Sequence, residues 1–260
     1  DLYRERGALH QAAKLYRRVL DEEPAHWTAM HNLAITLQDQ GRNPLARTLF
    51  TKVAEEATAG QTALNAKSAL LLLENYEGDL SRDTVFELHR SWGLEAKKLA
   101  TIARGNASSS KPRRSGKIAL ARVGILSPDL RFHPIAFFVE PLLRYLKSTG
   151  VALTAYYSRA GRDSTSDRLH SYFAQWHHVH DANDADLARQ VIADEMDVLI
   201  DLSGHTGGHR LGAMAVRCAP QQVSWLGYPN GAGVDTIDLR ISDRWLDSEP
   251  DADRYYVETL

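Results

Sequence analysis

Arg122-Val-Gly-Ile-Leu-Ser-Pro-Asp-Leu-Arg-Phe-His-Pro134 is the stretch on which the fold turns. Residues 123–127 are a short apolar run, and Pro134 suits the first turn of a helix, so the stretch reads as strand, loop and helix in succession. The same texture continues toward the C-terminus. Residues 152–157, 176–179, 198–202 and 223–226 read as strands, and residues 134–147, 166–174, 185–193 and 209–217 as the helices between them. This alternation implies a parallel sheet covered on both faces, a Rossmann-like α/β domain spanning residues 117–260. Ligands of such sheets bind outside the carboxyl ends of the strands, which directs the search for chemistry to the loops that follow them.

Toward the N-terminus, residues 105–116 (Gly-Asn-Ala-Ser-Ser-Ser-Lys-Pro-Arg-Arg-Ser-Gly) have linker composition. Residues 1–104 are helical by pattern, rich in Ala, Leu, Glu, Lys and Arg, with apolar residues three and four apart. Compared with itself at a shift of 34, the segment aligns Tyr3 with Leu37, Gly7 with Gly41, Ala12 with Ala46 and Tyr16 with Phe50. That period belongs to tetratricopeptide repeats, helical hairpins that stack into a superhelix. Gly7 and Gly41 are expected to permit close helix contact, with the aromatic nine positions later filling the groove. Pro24 closes the first hairpin, and Thr58 stands where the second would have its proline. A stack needs three or more units, so further repeats are expected before Asp1.

Composition narrows the classes of function. With 31 basic and 33 acidic residues, the net charge of −2 supplies no global field to hold nucleic acid or an anionic membrane. One cysteine, Cys218, excludes an internal disulfide and a thiolate metal cluster and favours a reducing, cytoplasmic setting. No apolar stretch approaches the ~20 residues that cross a bilayer.

Three strand-end loops could carry chemistry. The first, residues 127–134, places Asp129 and His133 at a strand terminus. There a histidine can act as general base or donate to a sugar or phosphate oxygen, and a carboxylate can take a proton or orient the histidine. The plainer account has Asp129 capping a turn and His133 making a structural bond. The second loop, Asp201-Leu-Ser-Gly-His-Thr-Gly-Gly-His-Arg210, is glycine-rich before a helix whose N-terminus favours an anion or a hydroxyl-bearing substrate, and capping by Thr206 explains part of it. His205 and His209 are four apart, but the intervening Gly207-Gly208 and the missing glutamate speak against zinc. His177, His178 and His180 lie on a strand and point to different faces, so no metal is expected. The third loop runs from Gln221 through Trp225-Leu-Gly-Tyr-Pro229 to Gly233 and is a turn that could bring backbone amides to a nucleotide-sugar.

Arg122-Val-Gly-Ile-Leu-Ser-Pro-Asp129 with His133-Pro134, the 204–210 loop, Arg217-Cys-Ala-Pro220, Trp225-Leu-Gly-Tyr-Pro229 and Asp243 in Ile-Ser-Asp together resemble the O-GlcNAc transferase family, in that family's order behind helical repeats. The resemblance implies a two-Rossmann-domain glycosyltransferase-B fold, of which residues 117–260 are the first half. It implies inverting, metal-independent transfer of N-acetylglucosamine from UDP-GlcNAc to serine or threonine hydroxyls of a protein or peptide acceptor. The family's histidine-proline pair falls on His133 and Pro134, its candidate base on Asp129, and its leucine-glycine near the sugar on Leu226 and Gly227. His205, Thr206, Tyr228 and Pro229 are the further substrate-binding candidates. Animal members have tyrosine and lysine where this sequence has His205 and Gly207, a departure on the acceptor side. The leaving-group lysine and most UDP contacts belong to the second, C-terminal half, which this sequence lacks, and the chain alone is expected to be inactive. A repeat scaffold binding a protein partner, or a nucleotide-sugar enzyme of another specificity, are the alternatives.

Overall fold

The structure, a computed structural model, describes residues 2–58, 60–78, 80–104 and 121–260. The linker expected at 105–116 therefore lies outside the described residues. Chain contacts divide the molecule into two units, Asp1–Leu80 and Ser81–Leu260.

The first unit is helical: α1 (Leu2–Glu5), α2 (Leu9–Glu22), α3 (Trp27–Asp39), α4 (Asn43–Glu56) and α5 (Gln61–Glu77), each packed on the next. The 34-residue period has a physical signature at the turns. Gly7 and Gly41 have φ of +72° and +71°. Ala8 N–H donates to the Tyr3 carbonyl just as Arg42 N–H donates to that of Leu37, the six-to-one bond of a Schellman cap. A Cβ on either glycine would meet nothing within 4 Å. These glycines therefore serve the left-handed turn and not the close helix contact expected of them. Ala46, Phe50 and Val53 from α4 fill the core with Leu33, Ala34 and Leu37 from α3 and Leu73 from α5, and Tyr16 packs against its edge. Arg47 of α4 pairs with Glu74 and Glu77 of α5 at 2.6 Å each.

The second unit opens with α6 (Arg82–Arg104) and continues through β1 (Arg122–Ser127), α7 (Pro134–Ser148), β2 (Ala152–Tyr157), α8 (Ser164–His170), β3 (Gln175–His178), α9 (Asp184–Ala193), β4 (Val198–Asp201), α10 (Leu211–Met214), β5 (Gln221–Trp225) and β6 (Leu239–Ile241). All strand pairs are parallel, in the order β3-β2-β1-β4-β5-β6. The order reverses between β1 and β4, whose ends are level, Leu126 pairing with Asp201. That switch point opens a crevice at the carboxyl ends. Alternation along β1 sends Val123 and Ile125 to one face, where they pack with Ile135, Val139 and Leu143 of α7 and Leu169 of α8. The same unit includes α6, which contacts α9 and α10. Residues 82–104, in sequence the end of the helical stretch 1–104 of repeats and connecting helices, fall in the same unit as the sheet.

The cause is a close approach of two backbones. A Cβ on Gly93 of α6 would stand 1.8 Å from the Gly233 carbonyl oxygen, and one on Gly233 would stand 2.1 Å from that of His89. The helix expected at 209–217 shrinks to the four residues of α10, all of them buried. The three-residue β6 went unread, being too short to show a period.

Candidate active site

The loop after β1 is held from within. Asp129 N–H donates to Ser127 Oγ at 3.0 Å, which turns the buried Asp129 carboxylate toward Arg131 Nη2, 3.4 Å away, and His133 Nε2, 3.8 Å away. His133 is the N-cap of α7: its backbone is extended, and its Nδ1 accepts from Ile135 N–H at 3.3 Å. With Nδ1 committed as an acceptor, the proton of the neutral ring resides on Nε2, the nitrogen that faces Asp129. Burial holds the His133 pKa below its usual value; Asp129 opposes this, while Arg131 and Arg159 reinforce it. The imidazole is therefore neutral at pH 7. Pro134 occupies the first helical position of α7.

The structural role is thus present, since His133 caps α7 through Nδ1, while its Nε2 is left facing the Asp129 carboxylate 3.8 Å away.

The loops after β1, β2, β4 and β5 are joined into one surface. Ser158, just after β2, donates from its backbone to Ser127 O and from its hydroxyl to Gly208 O at 2.9 Å. A Cβ on Gly208 would lie 3.1 Å from Pro128 Cβ, so the loops after β1 and β4 touch. The loop after β5 meets that after β4 more closely still: a Cβ on Gly227 would fall 1.9 Å from the Leu202 carbonyl oxygen. Gly227 N–H closes a three-residue turn on Trp225 O at 2.9 Å, with Leu226 at φ +73°. That region costs a residue with a Cβ about 1–2 kcal/mol, so the surroundings must hold Leu226 there. Leu226, Gly227 and the exposed Pro229 lie at the mouth of β5.

His205 and Tyr228 turn inward. His205 is 2% exposed, its Nε2 donates to Ala232 O at 3.0 Å, and its ring stands edge-on to Trp92 of α6 at 4.6 Å. Tyr228 is 4% exposed, with its hydroxyl 2.8 Å from His89 Nε2. His89 Nδ1 lies 2.7 Å from the Val85 carbonyl and must donate to it, so Nε2 accepts and Tyr228 donates. These two residues, named above as substrate-binding candidates, join the loops to α6. Thr206 caps no helix: its hydroxyl donates to Ser203 O, and α10 begins at Leu211 without a side-chain cap. A helix of four residues offers no anion site of the kind expected after the second loop.

Sequence reasoning overlooked two buried charged residues. Asp201, the last residue of β4, accepts from Gly204 N–H at 2.7 Å, and burial lifts its pKa to about 7. Arg240 of β6 donates through Nη2 to the carbonyls of Tyr228 at 2.8 Å and Pro229 at 3.1 Å, fixing the third loop from behind. A single arginine between leucine and isoleucine in a three-residue strand gave no signal. Among the described residues, no group of three or more His, Cys, Asp or Glu side chains is arranged to hold a metal ion.

Burial, with the nearby Arg240 adding to it, depresses the His89 pKa to about 4 against the hydrogen bond to Val85. A depressed imidazole favours folding fully above the unfolded value of 6.5, and that contribution is lost as pH falls from 6.5 toward 4. Asp201, raised to about 7, works in the opposite sense, so the effect is isolated by comparison. The stability advantage of the wild type over His89→Gln is expected to shrink by roughly 3 kcal/mol between pH 6.5 and pH 4 in denaturant titrations. A constant difference would show that His89 titrates normally.

Strand order and switch point define a Rossmann-type domain, with the facing carboxylate and imidazole as the candidate site at the carboxyl edge of the sheet. A model of glycosyl transferase family 41 matches residues 80–260, and one of a tetratricopeptide repeat matches residues 3–70. The chain belongs to glycosyl transferase family 41. Over 200 residues it is 32% identical to the probable UDP-N-acetylglucosamine–peptide N-acetylglucosaminyltransferases SPINDLY of Solanum lycopersicum and Arabidopsis thaliana, covering 75% of this chain and 21% of each relative. It is 29% identical over 125 residues to the UDP-N-acetylglucosamine–peptide N-acetylglucosaminyltransferase of Caenorhabditis elegans, covering 47% of this chain and 11% of that protein. Among solved structures, a mutant O-GlcNAc transferase of Thermobaculum terrenum superposes with a TM-score of 0.81 at 28% identity, over 98% of this chain and 48% of that one. The chain thus spans about a fifth of the length of these SPINDLY relatives and about half of the solved protein.

Proposed function

We propose that this chain supplies the acceptor-side half of an enzyme that moves N-acetylglucosamine from UDP-GlcNAc to serine or threonine hydroxyls of proteins, with inversion. The observation that carries the reading is the facing pair of Asp129 and His133 at the switch point of a family 41 domain. The acceptor oxygen forms a bond to the anomeric carbon as the bond from that carbon to the diphosphate breaks, and UDP leaves. The hydroxyl proton needs a base. His133 cannot take it in its neutral form, since Nδ1 already accepts from Ile135 N–H and Nε2 carries the proton. Asp129 is left as the base, and His133 Nε2–H as a donor to an oxygen of the sugar or acceptor.

The C-terminal catalytic half would provide the positive charge opposite the departing diphosphate, and the helical repeats would receive the protein or peptide acceptor. The reaction in this reading uses no metal or other cofactor, and neither nucleic acid nor membrane is a partner. No helix among the described residues is long and apolar enough to cross a membrane. The lone, buried Cys218 supports a cytoplasmic setting.

The test is a product assay with the full-length protein, UDP-GlcNAc and a serine-containing peptide. Expected is a peptide heavier by one N-acetylhexosamine with the β-anomeric linkage. An α linkage would exclude the inverting displacement, and transfer only from a different nucleotide-sugar would move the enzyme to another donor class.

A further inference from the structure

The mouth of the site carries more positive charge than its own acids neutralise. Arg131 reaches Asp129 at 3.4 Å, and its Nε is buried without a hydrogen-bond partner. Arg159 follows Ser158, whose bonds to Ser127 and Gly208 lay this loop across the end of β1, beside Asp129 and His133. Among the described residues Arg159 forms no ion pair. Nearby acids are already engaged. Asp163 accepts from Phe132 N–H at 2.7 Å and from Ser166 N–H at 2.8 Å, and Asp167 pairs with Arg162 at 2.7 Å. The facing loops, residues 202–209 and 226–234, contain no Asp or Glu. Both guanidinium groups lie close enough to depress the His133 pKa and to act on Tyr157.

We infer that Arg159, with Arg131 beside it, is a specificity determinant that selects acceptor peptides carrying an acidic side chain near the modified hydroxyl. The inference rests on the transferase reading above. One uncompensated guanidinium at the entrance, next to the proposed base, attracts a carboxylate on the peptide and holds it clear of Asp129. The attraction is partly solvent-exposed, so its expected size is a few-fold in KM and it weakens as salt rises.

The experiment compares two peptides, identical except that one has glutamates and the other glutamines flanking the serine, with full-length wild type, Arg159→Gln and Arg159→Lys. Wild type is expected to show a KM for the acidic peptide about fivefold lower, with kcat little changed. Arg159→Gln should abolish the difference while leaving kcat on the neutral peptide and the KM for UDP-GlcNAc unchanged, and Arg159→Lys should retain most of it. Equal KM values for the two peptides in wild type would overturn the inference while leaving the transferase reading intact. If Arg159→Gln instead raises the KM for UDP-GlcNAc, the arginine serves the donor diphosphate and the inference is again wrong. Absence of sugar transfer to either peptide by wild type would sink the underlying reading itself.

Discussion

Gly93→Ala is expected to destabilise the second unit by about 3 kcal/mol or more, although alanine at an exposed helix position would stabilise it by about 0.5–1 kcal/mol. The added methyl would sit 1.8 Å from the carbonyl oxygen and 2.6 Å from the carbonyl carbon of Gly233. Neither atom is the end of a flexible side chain, so relief requires α6 or the 226–233 loop to move. Movement there breaks a set of bonds at once. Tyr228 loses His89, Trp92 draws away from His205, and the carbonyls of Tyr228 and Pro229 shift from Arg240. Thermal or denaturant unfolding of the purified protein reads the change. An unaltered or raised midpoint would mean that α6 does not seat against this loop.

On the transferase reading proposed above, Asp129→Asn in the full-length protein should lower kcat by about 10²–10⁴-fold with little change in the KM for UDP-GlcNAc, the range over which general-base catalysis contributes. Asparagine keeps the size of the side chain and leaves an amide oxygen available to Arg131 and His133 at the distances of 3.4 and 3.8 Å seen for the carboxylate, so the fold and the donor site are expected to be preserved. What it removes is the site for the hydroxyl proton. Because His133 holds its own proton on Nε2, it offers no substitute. A pre-steady-state or steady-state assay at saturating donor distinguishes the cases: a kcat within a few-fold of wild type would take Asp129 out of proton transfer and leave it as a structural anion for Arg131.

Much of this was legible beforehand because two periodicities are strong in the sequence. The alternation of short apolar runs with helical segments located β1, β2, β4 and β5 to within two residues at each end. The 34-residue spacing located the turns at Gly7 and Gly41. What the glycines do there was not legible, since a left-handed turn and a close helix contact favour the same residue. The inward direction of His205 and Tyr228 was not legible for a different reason. A loop's composition shows that it can reach a ligand but not which of its side chains face the interior. That direction is set here by His89 and Trp92, more than a hundred positions earlier in the chain. The charged residues Asp201 and Arg240 escaped notice because nothing in a single sequence distinguishes a buried charge from a solvated one.

Because α6 is part of the sheet unit, residues 105–116 are a misleading place to divide the protein. A variant beginning after them would expose the faces of His205, Tyr228 and Gly233 that α6 now covers. Its strand-end loops would lose the wall that gives them their shape, and it would tend to aggregate. A cut near residue 80 respects the molecule's own seam, and a repeat array exchanged there would leave the strand-end loops with their support.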